Sequence, residues 1–114
     1  MKILHLSYND ISDGASRAAY RIHKSLQYSN IDSSMIVIEK KSDDFSVINS
    51  TKKFNRILNK TRPYLSRILV KTLKTQNPII HSPQILPSDL ISKINNSDAD
   101  IINLHWIQNE MLSV

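Results

Sequence analysis

Three short, mainly apolar runs constrain the fold of this chain more than any other feature of its sequence. They are Ile3–Leu6, Met35–Ile38 and Ile101–Leu104. Strands without polar alternation are usually covered on both faces, as in a parallel sheet flanked by helices. Between the first two runs, apolar residues recur at helical spacing, namely Ala15, Ala18, Ala19, Ile22 and Leu26. The order strand, helix, strand predicts a right-handed crossover unit and an α/β fold.

The remaining elements are weaker in the sequence. Phe45–Ile48 is a candidate third strand, and Ser12 or Asp13 is placed to cap the first helix, which Ser29-Asn30 should end. Apolar residues at helical spacing on both sides of Pro63 predict two helices that meet there, because proline does not continue a regular helix. Ser88 should cap a further helix that carries Leu90, Ile91 and Ile94 on one side.

Length and composition exclude several classes of protein. The chain has 114 residues, enough for one small domain, and no cysteine, which excludes disulfides and cysteine-ligated zinc. No apolar stretch approaches the roughly 20 residues of a spanning helix, and the apolar run at the amino terminus is too short for a signal peptide. We therefore expect a cytoplasmic protein.

The charge is concentrated in one segment. The net charge is +5, yet 8 of the 15 basic residues lie between Thr51 and Asn77, where there is no acidic residue. These residues are Lys52, Lys53, Arg56, Lys60, Arg62, Arg67, Lys71 and Lys74. Because the apolar residues of this segment form stripes beside the cations, it could dock on an anionic membrane surface. The alternative is a pair of helices whose apolar faces pack on the sheet and whose basic faces are solvated.

Two places at the ends of the predicted strands are candidates for chemistry. In open parallel sheets, ligands bind outside the carboxyl ends of the strands. The first strand leads into Asp13-Gly14 at a helix start, where backbone amides and the helix dipole favour an anion. The alternative is that Gly14, the single glycine of the chain, only permits the turn. The last strand leads into His105, a candidate acid, base or hydrogen-bond donor, or else a histidine packed beside Trp106.

The other histidines give weaker signals. His5 lies within the first predicted strand, which favours a structural role, and His23 and His81 have no evident partner in the sequence. The four histidines show no metal-ligand spacing, and no phosphate-loop or dinucleotide fingerprint is present.

Two blocks of the sequence resemble a known enzyme family. The stretch from Met1 to Ser7, followed by Gly14–Leu26 and Ile31–Met35, looks like the opening of the group 1 (family 4, retaining) glycosyltransferases. The stretch Asp100–Ile107, followed by Glu110–Ser113, resembles the next block of the same family. The resemblance is greatest to the branch that builds colanic acid, capsule and lipopolysaccharide O-antigen, and the middle of the chain is generic.

The resemblance implies a GT-B enzyme, in which two Rossmann-like domains enclose the active site. Residues 1–114 would be an incomplete N-terminal, acceptor-side Rossmann-like domain, and the donor domain would be absent. Gly14 and Asp13 would lie in the loop that faces the donor phosphates, and His105 would contact the transferred sugar. The family often has two glycines at this place, whereas the Asp13 carboxylate would repel a diphosphate. Many relatives also have glycine in place of Asn109.

The function that the resemblance implies is sugar transfer from a nucleotide-sugar to a lipid-linked glycan acceptor in surface polysaccharide biosynthesis. The nucleotide-sugar would be a co-substrate, with no further cofactor and no metal. We expect the chain alone to be inactive, and to lie in the cytoplasm or on the inner face of the cytoplasmic membrane. The alternatives are a non-catalytic module that binds nucleic acid or an anionic membrane through its basic helices, and a flavodoxin-like phosphate-binding domain. Because the basic segment has no nucleic-acid-binding motif, we expect no nucleic-acid partner.

Overall fold

The computed structural model describes residues 1–50, 61, 64, 65, 68, 72, 90–107 and 111. In this part of the chain, four strands form one parallel sheet in the order β3-β2-β1-β4. The strands are β1 (Lys2–Asn9), β2 (Asp32–Glu39), β3 (Val47–Asn49) and β4 (Ile101–Leu104). The helices α1 (Gly14–Tyr28) and α2 (Leu90–Asn95) accompany them. The predicted α/β fold, with a Rossmann-like parallel sheet and flanking helices, is therefore confirmed.

The core is divided between the two faces of the sheet, because successive strand residues point to opposite sides. One face carries Leu4, Leu6, Ile36 and Ile38, which pack with Leu90 of α2 and with Met111. The other face carries Met35, Val37 and Val47, which pack with Ala19 of α1. The runs in β1 and β2 are thus covered on both faces, which is the reason that the sequence lacks polar alternation there. Ile101, Ile102 and Leu104 of β4 are instead 46%, 42% and 51% exposed.

The face that α1 turns to the sheet differs from the predicted stripe. Its buried residues are Ser16, Ala19 and His23, whereas Ile22 is 45% exposed. The physical reason is a polar contact, since His23 lies between the hydroxyl groups of Ser33 and Ser46. These two hydrogen bonds satisfy a buried imidazole, and the small side chains one and two turns earlier fit against the sheet. Of the apolar residues at helical spacing, Ala19 is buried and Leu26 is half-buried, whereas Ala15, Ala18 and Ile22 are exposed, so the prediction was wrong for these three.

The ends of α1 agree with the sequence. Asp13 is the N-cap, and its side chain accepts the backbone N–H of Ser16 at 2.8 Å, while the Ser16 hydroxyl accepts the N–H of Asp13 at 3.0 Å. This reciprocal pair satisfies two donors at the helix start. Asn30 follows the helix with a φ of 56°, the left-handed conformation common after helix ends.

The third strand begins later than predicted. Phe45 is 99% exposed and precedes β3, which starts at Val47. In the basic segment, Thr61, Tyr64, Leu65, Ile68 and Thr72 are helical and exposed. The eight basic residues of that segment, Pro63, Ser88 and His81 lie outside the described residues. None of the helices in the described part of the chain has the length and hydropathy that a bilayer crossing requires.

Candidate functional site

The two candidate places at the strand ends lie on neighbouring strands. β1 and β4 are parallel and adjacent, and His5 is opposite Asn103 while Leu6 is opposite Leu104. The backbone N–H of His105 continues this ladder by donating to the Leu6 carbonyl at 2.7 Å. Because parallel strands end at the same edge of a sheet, the loop after β1 and His105 after β4 share one edge.

The loop between β1 and α1 is held by its own side chains. Asn9 accepts the backbone N–H of Ser12 at 3.0 Å and donates its amide to the Asp13 carboxylate at 2.8 Å. The Asp10 carboxylate accepts the N–H of Ile11 at 3.0 Å. Side-chain bonds of this kind satisfy backbone groups that have no ladder partner in a turn, and they stabilise the conformation of the loop.

Asp13 has a defined structural role in this loop. Hydrogen bonds from the Ser16 backbone and the Asn9 side chain lower the pKa of its carboxyl group, which is therefore ionised at neutral pH. The carboxylate lies at the positive end of α1, which is the position that an anionic ligand would otherwise prefer. Asp13 is thus a helix cap, and its assignment to a phosphate-binding loop stays a prediction.

Gly14 is the first residue of α1 and is exposed. A Cβ atom at this position would have no heavy atom within 4 Å, and its φ is not in the left-handed region. Neither packing nor backbone conformation therefore requires glycine, which speaks against the reading that Gly14 only permits the turn. The open Cβ position leaves the backbone at Gly14 accessible from solvent.

Arg17 brings a positive charge to the same loop. It is exposed, and its Nε donates to the Ile11 carbonyl at 3.1 Å across the first turn of α1. The guanidinium keeps further N–H donors in a fixed fork. The structure therefore adds Arg17 to the candidate site as a cation on the first turn of α1, four residues after Asp13.

His105 contacts a second histidine. Its Nε2 lies 3.1 Å from Nδ1 of His5, and the two ring planes are inclined by 22° with centroids 5.3 Å apart. Burial, followed by the charges of His105 and His23, lowers the pKa of His5 to about 4, and burial also lowers the pKa of His105. Both rings are consequently neutral at pH 7.

The chain turns sharply after His105. Trp106 has a φ of 44° and is 53% exposed. The left-handed region is unfavourable for a bulky residue, and such positions concentrate at functional sites. The exposed indole also shows that Trp106 does not bury His105 in a shared core, although that was one of the two sequence-based readings.

Three histidines meet beneath this edge of the sheet. His5 contacts His105 on one side and His23 on the other, where the ring centroids are 5.8 Å apart. Sequence reasoning missed this group because its members are separated by 18 and more residues along the chain. The pairing of β1 with β4 brings His105 to His5, and the packing of α1 on the sheet brings His23 to it. Within the described residues, no group of three metal-ligating side chains is arranged to hold a metal ion.

The buried part of this group contains unpaired polar atoms. Nε2 of His5 and the hydroxyl of Ser7 are buried and have no hydrogen-bond partner in the part of the chain that the structure describes. Both residues are on the same face of β1, because they are two positions apart. Unsatisfied buried polar groups are uncommon, which marks this part of the sheet as different from an ordinary core.

Comparison with family models, curated proteins and solved structures found no match for this chain.

Proposed function

We propose that this chain is the acceptor-side part of a retaining glycosyltransferase that transfers a sugar from a nucleotide-sugar to a lipid-linked glycan in surface polysaccharide biosynthesis. The observation that carries the proposal is the adjacency of β1 and β4. It puts the two blocks that resemble the glycosyltransferase family, which are distant in sequence, at one edge of a parallel sheet. Ligands bind at this edge in sheets of this kind.

Each residue of the candidate site has its own proposed role, which follows from its chemistry. Gly14, whose Cβ position is open, would allow the donor to approach the backbone, and Arg17 would offset the charge of Asp13 toward a diphosphate. His105 would donate a hydrogen bond to the sugar without introducing a charge, because its pKa is lowered by burial. The donor-side domain would supply the remaining contacts to the nucleotide, so the 114 residues alone should not transfer sugar.

Binding is tested first on the chain itself. Amide chemical shifts are followed while nucleotide-sugars of different bases, and then a lipid-linked glycan analogue, are added. We expect shifts at Gly14, Arg17 and His105. Tyr28, at the other end of α1 and about 20 Å away along the helix axis, should not respond, and Tyr28→Ser is the matched control variant. Absence of any response at Gly14 and His105 to every ligand would argue against the proposal.

Transfer is tested in the native host. His105→Ala should reduce sugar incorporation into lipid-linked glycan nearly as much as deletion of the gene, with the amount of protein unchanged. If His105→Ala lowers thermal stability but leaves sugar incorporation unchanged, the role of His105 is purely structural. Salt-dependent DNA binding would instead favour a nucleic-acid-binding module.

A second function is supported by the exposure of the basic segment. Tyr64, Leu65 and Ile68 are 68%, 45% and 59% exposed, so these residues do not pack on the sheet. Their helical spacing puts them on one side of a helix, and the sequence places cations such as Arg62 and Arg67 around them. Exposed apolar side chains flanked by cations suit docking on an anionic membrane surface, where lipid-linked acceptors reside.

A further inference from the structure

The contact between His5 and His105 limits where their protons are. Each ring is neutral at pH 7 and carries one proton on one of its two nitrogens. Nδ1 of His5 and Nε2 of His105 are 3.1 Å apart, a hydrogen-bond distance that requires one nitrogen to donate and the other to accept. Two tautomer arrangements are therefore allowed, and they give His105 opposite properties at its other nitrogen.

The surroundings of His5 distinguish these arrangements. If Nδ1 of His5 accepted, its proton would be on Nε2, which is buried and without a partner. His23 does not serve this atom, because both of its ring nitrogens lie 2.7 Å from serine hydroxyls. Orphaned buried N–H groups are rarer than unpaired acceptors. The favoured arrangement therefore has the proton of His5 on Nδ1, donated to Nε2 of His105.

We infer that His5 is a positioning residue that fixes His105 in the tautomer with its proton on Nδ1. In this arrangement His105 offers a neutral N–H donor at the carboxyl end of β4. Such a group suits a sugar hydroxyl, which accepts a hydrogen bond and carries no charge. The identity of this ligand rests on the proposed function, whereas the tautomer does not.

The backbone hydrogen bond between His105 and β1 also holds the His105 ring in one orientation. The backbone N–H of His105 donates to Leu6, the residue after His5, at 2.7 Å. The main chain and the side chain of His105 are thus both held by β1, with the two rings inclined by 22°. This double attachment orients the donor before any ligand arrives, and orientation of a catalytic group is an established source of rate.

The tautomer is measured directly by nitrogen NMR of the histidine rings at pH 7.5 in the unmodified chain. We expect His105 to show a protonated Nδ1 and an unprotonated Nε2, and His5 to show the same pattern. A protonated Nε2 on His105 would overturn the inference. This measurement needs neither a ligand nor a variant.

Two variants test whether His5 is the cause. His5→Leu removes the donor, so His105 should lose its single tautomer. His5→Asn retains an N–H donor on the same branch of the side chain and should restore it. If His105 keeps the Nδ1 proton in a folded His5→Leu variant, the inference is wrong. If His5→Leu does not fold, the unmodified protein is compared with His5→Asn. A His105 tautomer that differs between the unmodified protein and His5→Asn would contradict the inference.

The functional measurement is separate from the spectroscopic one. In the transfer assay, His5→Leu should lower turnover by about tenfold or more, because a misoriented catalytic side chain loses rate, and His5→Asn should recover part of it. Loss of turnover with an unchanged His105 tautomer would overturn the positioning role. If His105 has the predicted tautomer but the protein binds no sugar or nucleotide, the role of His5 is supported and the proposed function is rejected.

Discussion

The carboxylate of Asp10 accepts the backbone N–H of Ser42 at 2.8 Å and connects the end of β1 to the segment that follows β2. The same carboxylate accepts the N–H of Lys41 at 3.0 Å and the N–H of Ile11 at 3.0 Å. Asp10 is fully buried. Burial alone would raise the pKa of its carboxyl group, but its interactions with Ser42 and Lys41 outweigh this effect and lower it.

Replacement of Asp10 should therefore destabilise the fold. Asp10→Ala leaves several backbone N–H groups without their acceptor, and hydrogen bonds to charged groups contribute about 1.5–3 kcal/mol. We expect the free energy of unfolding in urea to fall by about 2 kcal/mol. Asp43→Ala, at an exposed carboxylate in the same segment, is the control and should have little effect. Equal urea midpoints for the two variants would show that the Asp10 contacts do not stabilise the fold.

The buried histidines should make stability depend on pH above the range in which carboxylates titrate. The pKa of His5 is lowered from 6.5 to about 4, and burial also lowers the pKa of His23. As the pH falls, a histidine with a lowered folded-state pKa is protonated in the unfolded chain at a higher pH than in the folded chain. Stability is therefore full above pH 6.5 and falls as the pH decreases toward 4. For His5 the slope is about 1.4 kcal/mol per pH unit between these two values, and His23 contributes in the same direction.

The measurement is a series of urea unfolding curves between pH 7.5 and 4.5. His23→Asn should reduce the slope, because it removes one titrating group while it keeps a polar side chain near Ser33. Carboxylates do not interfere strongly in this interval, since a lowered carboxyl pKa such as that of Asp10 removes stability only at lower pH. A free energy of unfolding that stays constant from pH 7.5 to 4.5 would contradict the prediction.

Gly14 offers a test in which stability and binding change in opposite directions. A Cβ at this position meets no atom within 4 Å, and the backbone does not require glycine. Gly14→Ala should raise the free energy of unfolding by about 0.5 kcal/mol, because it reduces the freedom of the unfolded chain. If a phosphate approaches this backbone, the same change should weaken nucleotide-sugar binding. Improved stability with unchanged binding would remove Gly14 from the site.

The sequence predicted the strands well because each coincides with a short apolar run, although only the runs of β1 and β2 are buried on both faces. Ile101–Leu104 coincides with β4, and the Ile3–Leu6 run lies inside β1. The sequence did not predict which face of α1 packs on the sheet. His23 is buried through hydrogen bonds to serines of other elements, and such bonds leave no periodic signal in the sequence. The contact between His5 and His105 was also not predictable, because it depends on the register of two strands that are almost 100 residues apart.

The exposed apolar residues of the basic segment should contribute to docking on an anionic membrane surface. Leu65 and Ile68 are solvent-exposed, and Arg62 and Arg67 lie near them in sequence. Each cation near an anionic surface contributes about 1 kcal/mol, so replacement of both arginines by glutamine should weaken binding to anionic vesicles roughly 30-fold. Leu65→Ser with Ile68→Ser should also weaken binding, because the apolar contact with the membrane interface is lost.

Phe45→Ser is the matched control, since Phe45 is 99% exposed and lies outside the basic segment. Co-sedimentation is measured with anionic and with neutral vesicles, at low and at high salt. We expect binding to anionic vesicles that decreases with salt, because screening shortens the range of the attraction between cations and the charged surface. Binding that is equal for both vesicle types, or absent from both, would contradict electrostatic docking. Loss of binding in Phe45→Ser as well would place the apolar contact elsewhere on the chain.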